Sequence, residues 1–89
     1  MFKSISEFRK FNKQSGYHFF SRDTMRFFAS RVESGLYKNQ TFITSEKRCF
    51  EDYRRVYSVR LARPNGMVDT LFKDISTLEA ARELAKEYE

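Results

Sequence analysis

Cysteine occurs once in this chain, at Cys49, which excludes an internal disulfide and a cysteine-rich zinc site and fits a reducing cytosol. Lys47 and Arg48 beside it would favour a thiolate, but no second cysteine or neighbouring histidine makes a reactive pair. Histidine also occurs once: His18 lies between Tyr17 and Phe19, where packing by its aromatic neighbours accounts for it. The three glycines, Gly16, Gly35 and Gly66, stand at turn positions and form no phosphate-cradling loop. Tryptophan is absent, and the single proline, Pro64, belongs to a turn. No apolar run approaches the ~18 residues of a membrane span, and Met1-Phe2-Lys3-Ser4 lacks the apolar core of a signal peptide. Carboxylates are scattered or sit at helix starts, where capping explains them, so no paired acid and base emerges. On these absences the chain is expected to be cytoplasmic and non-catalytic, with no metal or cofactor.

What is present is charge and aromatic mass. The net charge is +5, and it is divided: residues 1–63 hold fourteen Lys/Arg against six Asp/Glu, whereas residues 64–89 hold three against six. A basic chain of this kind favours an anionic partner. Ten Phe and five Tyr stand among 89 residues, and each ring brings roughly 150–250 Å² to bury. Core packing absorbs most of them, and the surplus would serve an interaction face. The length allows one domain, 1–89, with 1–16 as a weakly attached N-terminal helix.

Ser4-Ile5-Ser6-Glu7 fits a capping box and starts a helix over 5–13, with Ile5, Phe8 and Phe11 or Asn12 on a short apolar face and Ser15-Gly16 as its end. Ser21 is placed as a second N-cap, with Phe20 and Met25 at the staple positions. Met25, Phe28, Ala29 and Val32 follow at helical spacing, which predicts a helix continuing to Gly35. Gln40–Glu46 reads as a strand whose alternation admits either Thr41 and Ile43 or Phe42 and Thr44 inside. Residues 47–53 form a charged connection.

Arg54 to Lys73 reads as a hairpin about Asn65-Gly66, since both positions tolerate positive φ. A two-residue turn there pairs Arg63 with Val68, Leu61 with Thr70 and Val59 with Phe72. Val59, Leu61, Val68 and Phe72 then share the core side, while Arg54, Arg60, Asp69 and Lys73 lie opposite. Ser76-Thr77-Leu78-Glu79 opens the last helix, whose inward stripe is Leu78, Ala81, Leu84, Ala85 and Tyr88. The expected fold is α+β in the order α-α-β-β-β-α: a three-stranded antiparallel sheet with helices on one face and the other face open to water.

That open face would carry Arg54, Arg60 and Lys73, joined by Arg63, as a surface for an anionic partner. Arg22 and Arg26 form a second patch, with Asp23 and Ser45 as candidate neighbours. Phe50 and Tyr53 in the connection are the rings best placed for contact. The Tyr57-Ser58-Val59-Arg60 strand, the Asn65-Gly66 turn and the Thr77–Ala81 helix start resemble the DNA-binding sheet of tyrosine-integrase arm domains and AP2-type domains. The helix–strands–helix order is also similar to double-stranded RNA-binding domains, whose lysine-rich last-helix start is missing here. A closer resemblance is to a family of small phage and prophage proteins. It rests on Phe20-Ser21-Arg22-Asp23-Thr24-Met25-Arg26-Phe27-Phe28, Ser30-Arg31-Val32, Phe42-Ile43-Thr44-Ser45-Glu46 and Arg54–Arg60. That resemblance implies a mobile-element origin and two compatible roles. One is a nucleic-acid-binding accessory factor; the other is an anti-CRISPR-like inhibitor of a host defence system. The partners expected are thus nucleic acid or a host nucleic-acid-processing protein, with no membrane. A homodimer through a sheet edge is the further arrangement the strands permit.

Overall fold

The computed structural model describes residues 1–27, 29–49 and 52–88, with the side chains of 48, 49, 52 and 53 outside that description. Three helices and four strands follow in the order α1 (Ile5–Gln14), α2 (Arg22–Phe27), β1 (Arg31–Val32), β2 (Thr41–Cys49), β3 (Asp52–Ala62), β4 (Val68–Ile75) and α3 (Leu78–Glu87). The strands form one antiparallel meander, β1-β2-β3-β4. The class is α+β as expected, but the sheet has four strands where the sequence indicated three.

The additional strand comes from the segment expected to be helical. Ser21 does start α2: its hydroxyl accepts from the Thr24 backbone N–H at 3.2 Å. Six residues later the helix closes, because Ala29 adopts φ +49. The Ala29 N–H then reaches the Arg26 carbonyl, and the Ser30 N–H reaches that of Met25. This pair of bonds is a Schellman closure, with an alanine in the left-handed position usually held by glycine. Val32, expected on the helix face, instead pairs with Thr44 in β1. Phe28 lies outside the described residues. The first helix closes the same way with the residue expected there: Gly16, at φ +86, donates to Lys13 O and Tyr17 donates to Asn12 O.

Residues 41–45 are all buried, which explains why the alternation of this strand could not be read. Ile43 packs with Val59, Ala81 and Ala85 on the α3 side, flanked by Leu71, Ile75, Leu78 and Leu84. Phe42 points the other way, onto Phe8 of α1 and Ala62, with Phe2, Ile5, Phe19 and Phe20 around them. The helices therefore do not share one face. α3 covers one side of the sheet, and α1 with the 19–20 segment covers the other. Six of the ten phenylalanines form this second layer, with ring centroids 4.8 to 6.1 Å apart along the chain Phe11–Phe2–Phe8–Phe20–Phe19–Phe42. Much of the aromatic mass is thus spent on a second core, whereas Phe27 and Phe72 stay 71% and 40% exposed.

The β3–β4 register also departs from expectation. Gly66 N–H donates to Arg63 O, and Arg63 N–H donates to Met67 O, so the loop has three residues, Pro64-Asn65-Gly66. Gly66 sits at φ +96, the arrangement of a type I turn closed by a glycine bulge. One added loop residue slips the register by one, giving Ala62↔Val68, Leu61↔Asp69 and Arg60↔Thr70. Val68 thereby joins Phe8 on the α1 side, not Val59 and Leu61. One bulge then restores Val59↔Phe72 and a second sets Tyr57↔Ile75, which brings Leu71 and Ile75 to the α3 side and leaves Phe72 40% exposed. The turn is also α1's docking point: Asn12, 1% exposed, donates from Nδ2 to Gly66 O at 2.7 Å.

Two boundaries differ by smaller margins. The 47–53 connection is largely strand, with Cys49 opposite Asp52. The last helix is capped by Thr77 rather than Ser76, its hydroxyl accepting from Ala80 N–H at 3.1 Å. Within α3, Ala81 and Ala85 are fully buried, as their small size and spacing required.

Candidate anion-binding site

The residues expected on an open sheet face do not share one surface. Arg60 lies on the side covered by α1, with its side chain 16% exposed. Its Nε donates to Thr44 Oγ1 at 3.0 Å, its terminal nitrogens bond Thr70 Oγ1 and pair with Glu46 Oε1, and its guanidinium lies 5.4 Å from the Phe19 ring centre. Internal partners thus occupy it on every side. Arg63 pairs with Asp69 at 3.2 Å on an exposed stretch. Arg54 and Lys73 are exposed on β3 and β4. Phe50 lies outside the described residues, as do the side chains of Tyr53 and Cys49.

Arg22 and Arg26, by contrast, are brought into a concentrated basic hollow. Helical spacing sets Arg22, Met25 and Arg26 on one side of α2. There they line an open concavity of about 620 Å³ with Arg9 of α1, Arg31 of β1, Lys47 of β2 and Arg55 of β3. Six cations and no carboxylate line it among the described residues. At a separation of ~7 Å, two like charges repel by about 0.6 kcal/mol in water, so such crowding is a standing cost that an arriving anion removes.

Several of these groups are held in place. Arg55 donates from Nε to Ser45 Oγ at 2.8 Å and from Nη2 to Ser45 O at 2.9 Å and to the Ala29 carbonyl. Ser45 in turn donates to Glu33 Oε1 at 2.9 Å. The left-handed turn at Ala29 thus has a local consequence, since it aims that carbonyl at Arg55. Arg9 is fixed differently, its guanidinium 5.3 Å from the Phe20 ring centre. Guanidinium groups fixed in advance lose little side-chain entropy on meeting a phosphate.

A second hollow of about 700 Å³ adjoins the first and shares Arg9, Phe20 and Arg22 with it. It adds Lys10, Lys13, Tyr17 and His18, again without a carboxylate among the described residues. Sequence reasoning found Arg22 and Arg26 but missed Arg9, Arg31, Lys47 and Arg55. They lie up to 46 positions apart, and only the sheet register and the early end of α2 bring them together. One signal was legible: Arg55 alternates with Tyr57 and Val59, so it belongs to a side where a cation needs a specific partner.

Among the described residues, no group of three His, Cys, Asp or Glu could hold a metal ion, and no helix is long and apolar enough to cross a membrane. A family model described as a family of unknown function (DUF7447) matches residues 4–86, from α1 to all but the last residue of α3. No curated protein and no solved structure matches the chain.

Proposed function

The chain belongs to the DUF7447 family, and for it we propose a non-catalytic role as a nucleic-acid-binding protein that holds the phosphate backbone along the first of its two basic hollows. The observation that carries this reading is the lining of the first hollow among the described residues: six cations, no carboxylate, and two of the guanidinium groups braced by protein contacts. Phosphodiesters present closely spaced single charges that such a row can meet. The phage or prophage origin implied by the Phe20–Phe28 block is part of the same proposal.

The test is fluorescence anisotropy with labelled oligonucleotides across a salt series, comparing the native chain with an Arg22→Ala/Arg26→Ala/Arg31→Ala variant. All three side chains are exposed, so the variant should fold. Binding to a single strand is expected to weaken with a log–log salt slope of about −4 if six phosphates are met, and the variant should lose about 2 from that slope. Unchanged affinity in the variant would overturn the assignment of the hollow. Failure of the native chain to bind any nucleic acid at low salt would instead favour a protein partner, as an inhibitor of a host defence system would require.

A further inference from the structure

The two hollows differ in one respect that bears on which nucleic acid they take. The first is lined chiefly by cations, and the second adds two rings, Tyr17 and His18. Phe20, shared by both, has little face to offer: it lies under Arg9 and against Phe8, Phe19 and Phe42. Tyr17 and His18 do not fill the core in this way, Tyr17 being half-buried and His18 exposed. Their backbone is nevertheless pinned at both ends. Tyr17 N–H closes α1 on Asn12 O at 3.1 Å, and His18 O accepts from Ser21 N–H at 3.1 Å ahead of α2. The rings therefore stand on a fixed link between two helices, beside Lys10, Lys13 and Arg22.

Resting on the reading above, we propose that the ligand is a single strand. Its phosphates would run along the guanidinium groups of the first hollow, and one or more unstacked bases would lie against Tyr17 and His18 in the second. A duplex keeps its bases paired and stacked inside, so it offers these rings nothing; a single strand offers both charge and ring faces. Stacking of a base on an aromatic side chain contributes about 1–3 kcal/mol and tolerates any base. The site accordingly takes single-stranded DNA or RNA with little sequence preference.

The experiment compares four labelled probes of equal length by anisotropy at one low salt concentration: oligo(dT), oligo(rU), a deoxyribose-phosphate strand lacking bases, and duplex DNA. The native chain is expected to bind oligo(dT) or oligo(rU) at least about fivefold more tightly than the baseless strand. His18→Ala and Tyr17→Ala should each narrow that gap while leaving the baseless-strand affinity unchanged, and Tyr17→Phe should retain it. Because Tyr17 is half-buried, the exposed His18 variant carries the test if Tyr17→Ala fails to fold. Preference for oligo(dT) over oligo(rU), or the reverse, distinguishes DNA from RNA within the proposal. Equal affinity for oligo(dT) and the baseless strand, or tighter binding of the duplex, overturns the single-strand inference. If the Arg22/Arg26/Arg31 variant still loses binding in that case, the anionic site stands without it.

Discussion

Replacing Arg60 with alanine removes the cation of a buried pair, and the structure supplies the magnitude. Arg60 and Glu46 have side chains 16% and 14% exposed. Without Arg60, Glu46 Oε1 keeps, among the described residues, the Thr44 and Ser58 hydroxyls, at 3.4 and 3.3 Å, and Oε2 is already buried with no hydrogen-bond partner among them. Breaking a fully buried pair by removing one partner costs about 3–5 kcal/mol, and the residual exposure here places the loss at about 2–4 kcal/mol. Against a total stability of about 4–13 kcal/mol for a chain this long, that is a large fraction. A loss of 3 kcal/mol lowers Tm by about 12–24 °C in a domain of this size, readable by circular dichroism melting. The double variant Glu46→Leu/Arg60→Leu should recover much of the loss, because no charge is then left buried. Below its melting transition, Arg60→Ala should keep native affinity for nucleic acid. If it unfolds within about 0.5 kcal/mol of the native chain, as an ordinary surface substitution does, the reasoning about this network is wrong.

Two further stability predictions come from the helix ends. Ala29→Gly should raise stability by about 0.5–1 kcal/mol, since glycine removes the left-handed penalty at φ +49 by more than it adds in unfolded-chain entropy; a lower urea midpoint would contradict this. Asn12→Ala should cost about 1–3 kcal/mol in urea unfolding, because it leaves the Gly66 carbonyl buried without its donor; a neutral result would mean that α1 is not held at the turn through this bond.

Much of the C-terminal half could be read from the residues. The Leu78, Ala81, Leu84, Ala85 stripe, the existence of the hairpin and its Asn65-Gly66 turn all carry local chemical signals. The register near the turn could not be read, because Pro64-Asn65-Gly66 suits a three-residue loop as well as Asn65-Gly66 suits a two-residue one, and a single residue exchanges the faces of Val68 and Asp69. α2 was overextended because an alanine gives no warning of a left-handed closure, and the two residues of β1 are too few to show a period. The assumption of an open sheet face misplaced Arg60. Once β2 and β3 are aligned, Thr44, Glu46, Ser58 and Arg60 all fall on one side, and a polar set at the centre of a sheet is a network waiting for its partners. The basic hollow was half visible, through Arg22 and Arg26, and the other half depended on tertiary placement of Arg9, Arg31, Lys47 and Arg55.

Phe42 and Ile43 are neighbours along β2, yet each belongs to a different apolar layer. One peptide bond therefore joins two assemblies built from opposite ends of the described chain, one needing α1 and the other α3. During synthesis, α3 is the last of these elements to be made, so until then the Ile43–Val59 side of the sheet has no cover. The half-made sheet is left to shield an apolar surface by transient collapse or by contact with other molecules, and commitment to the native state waits on the final helix.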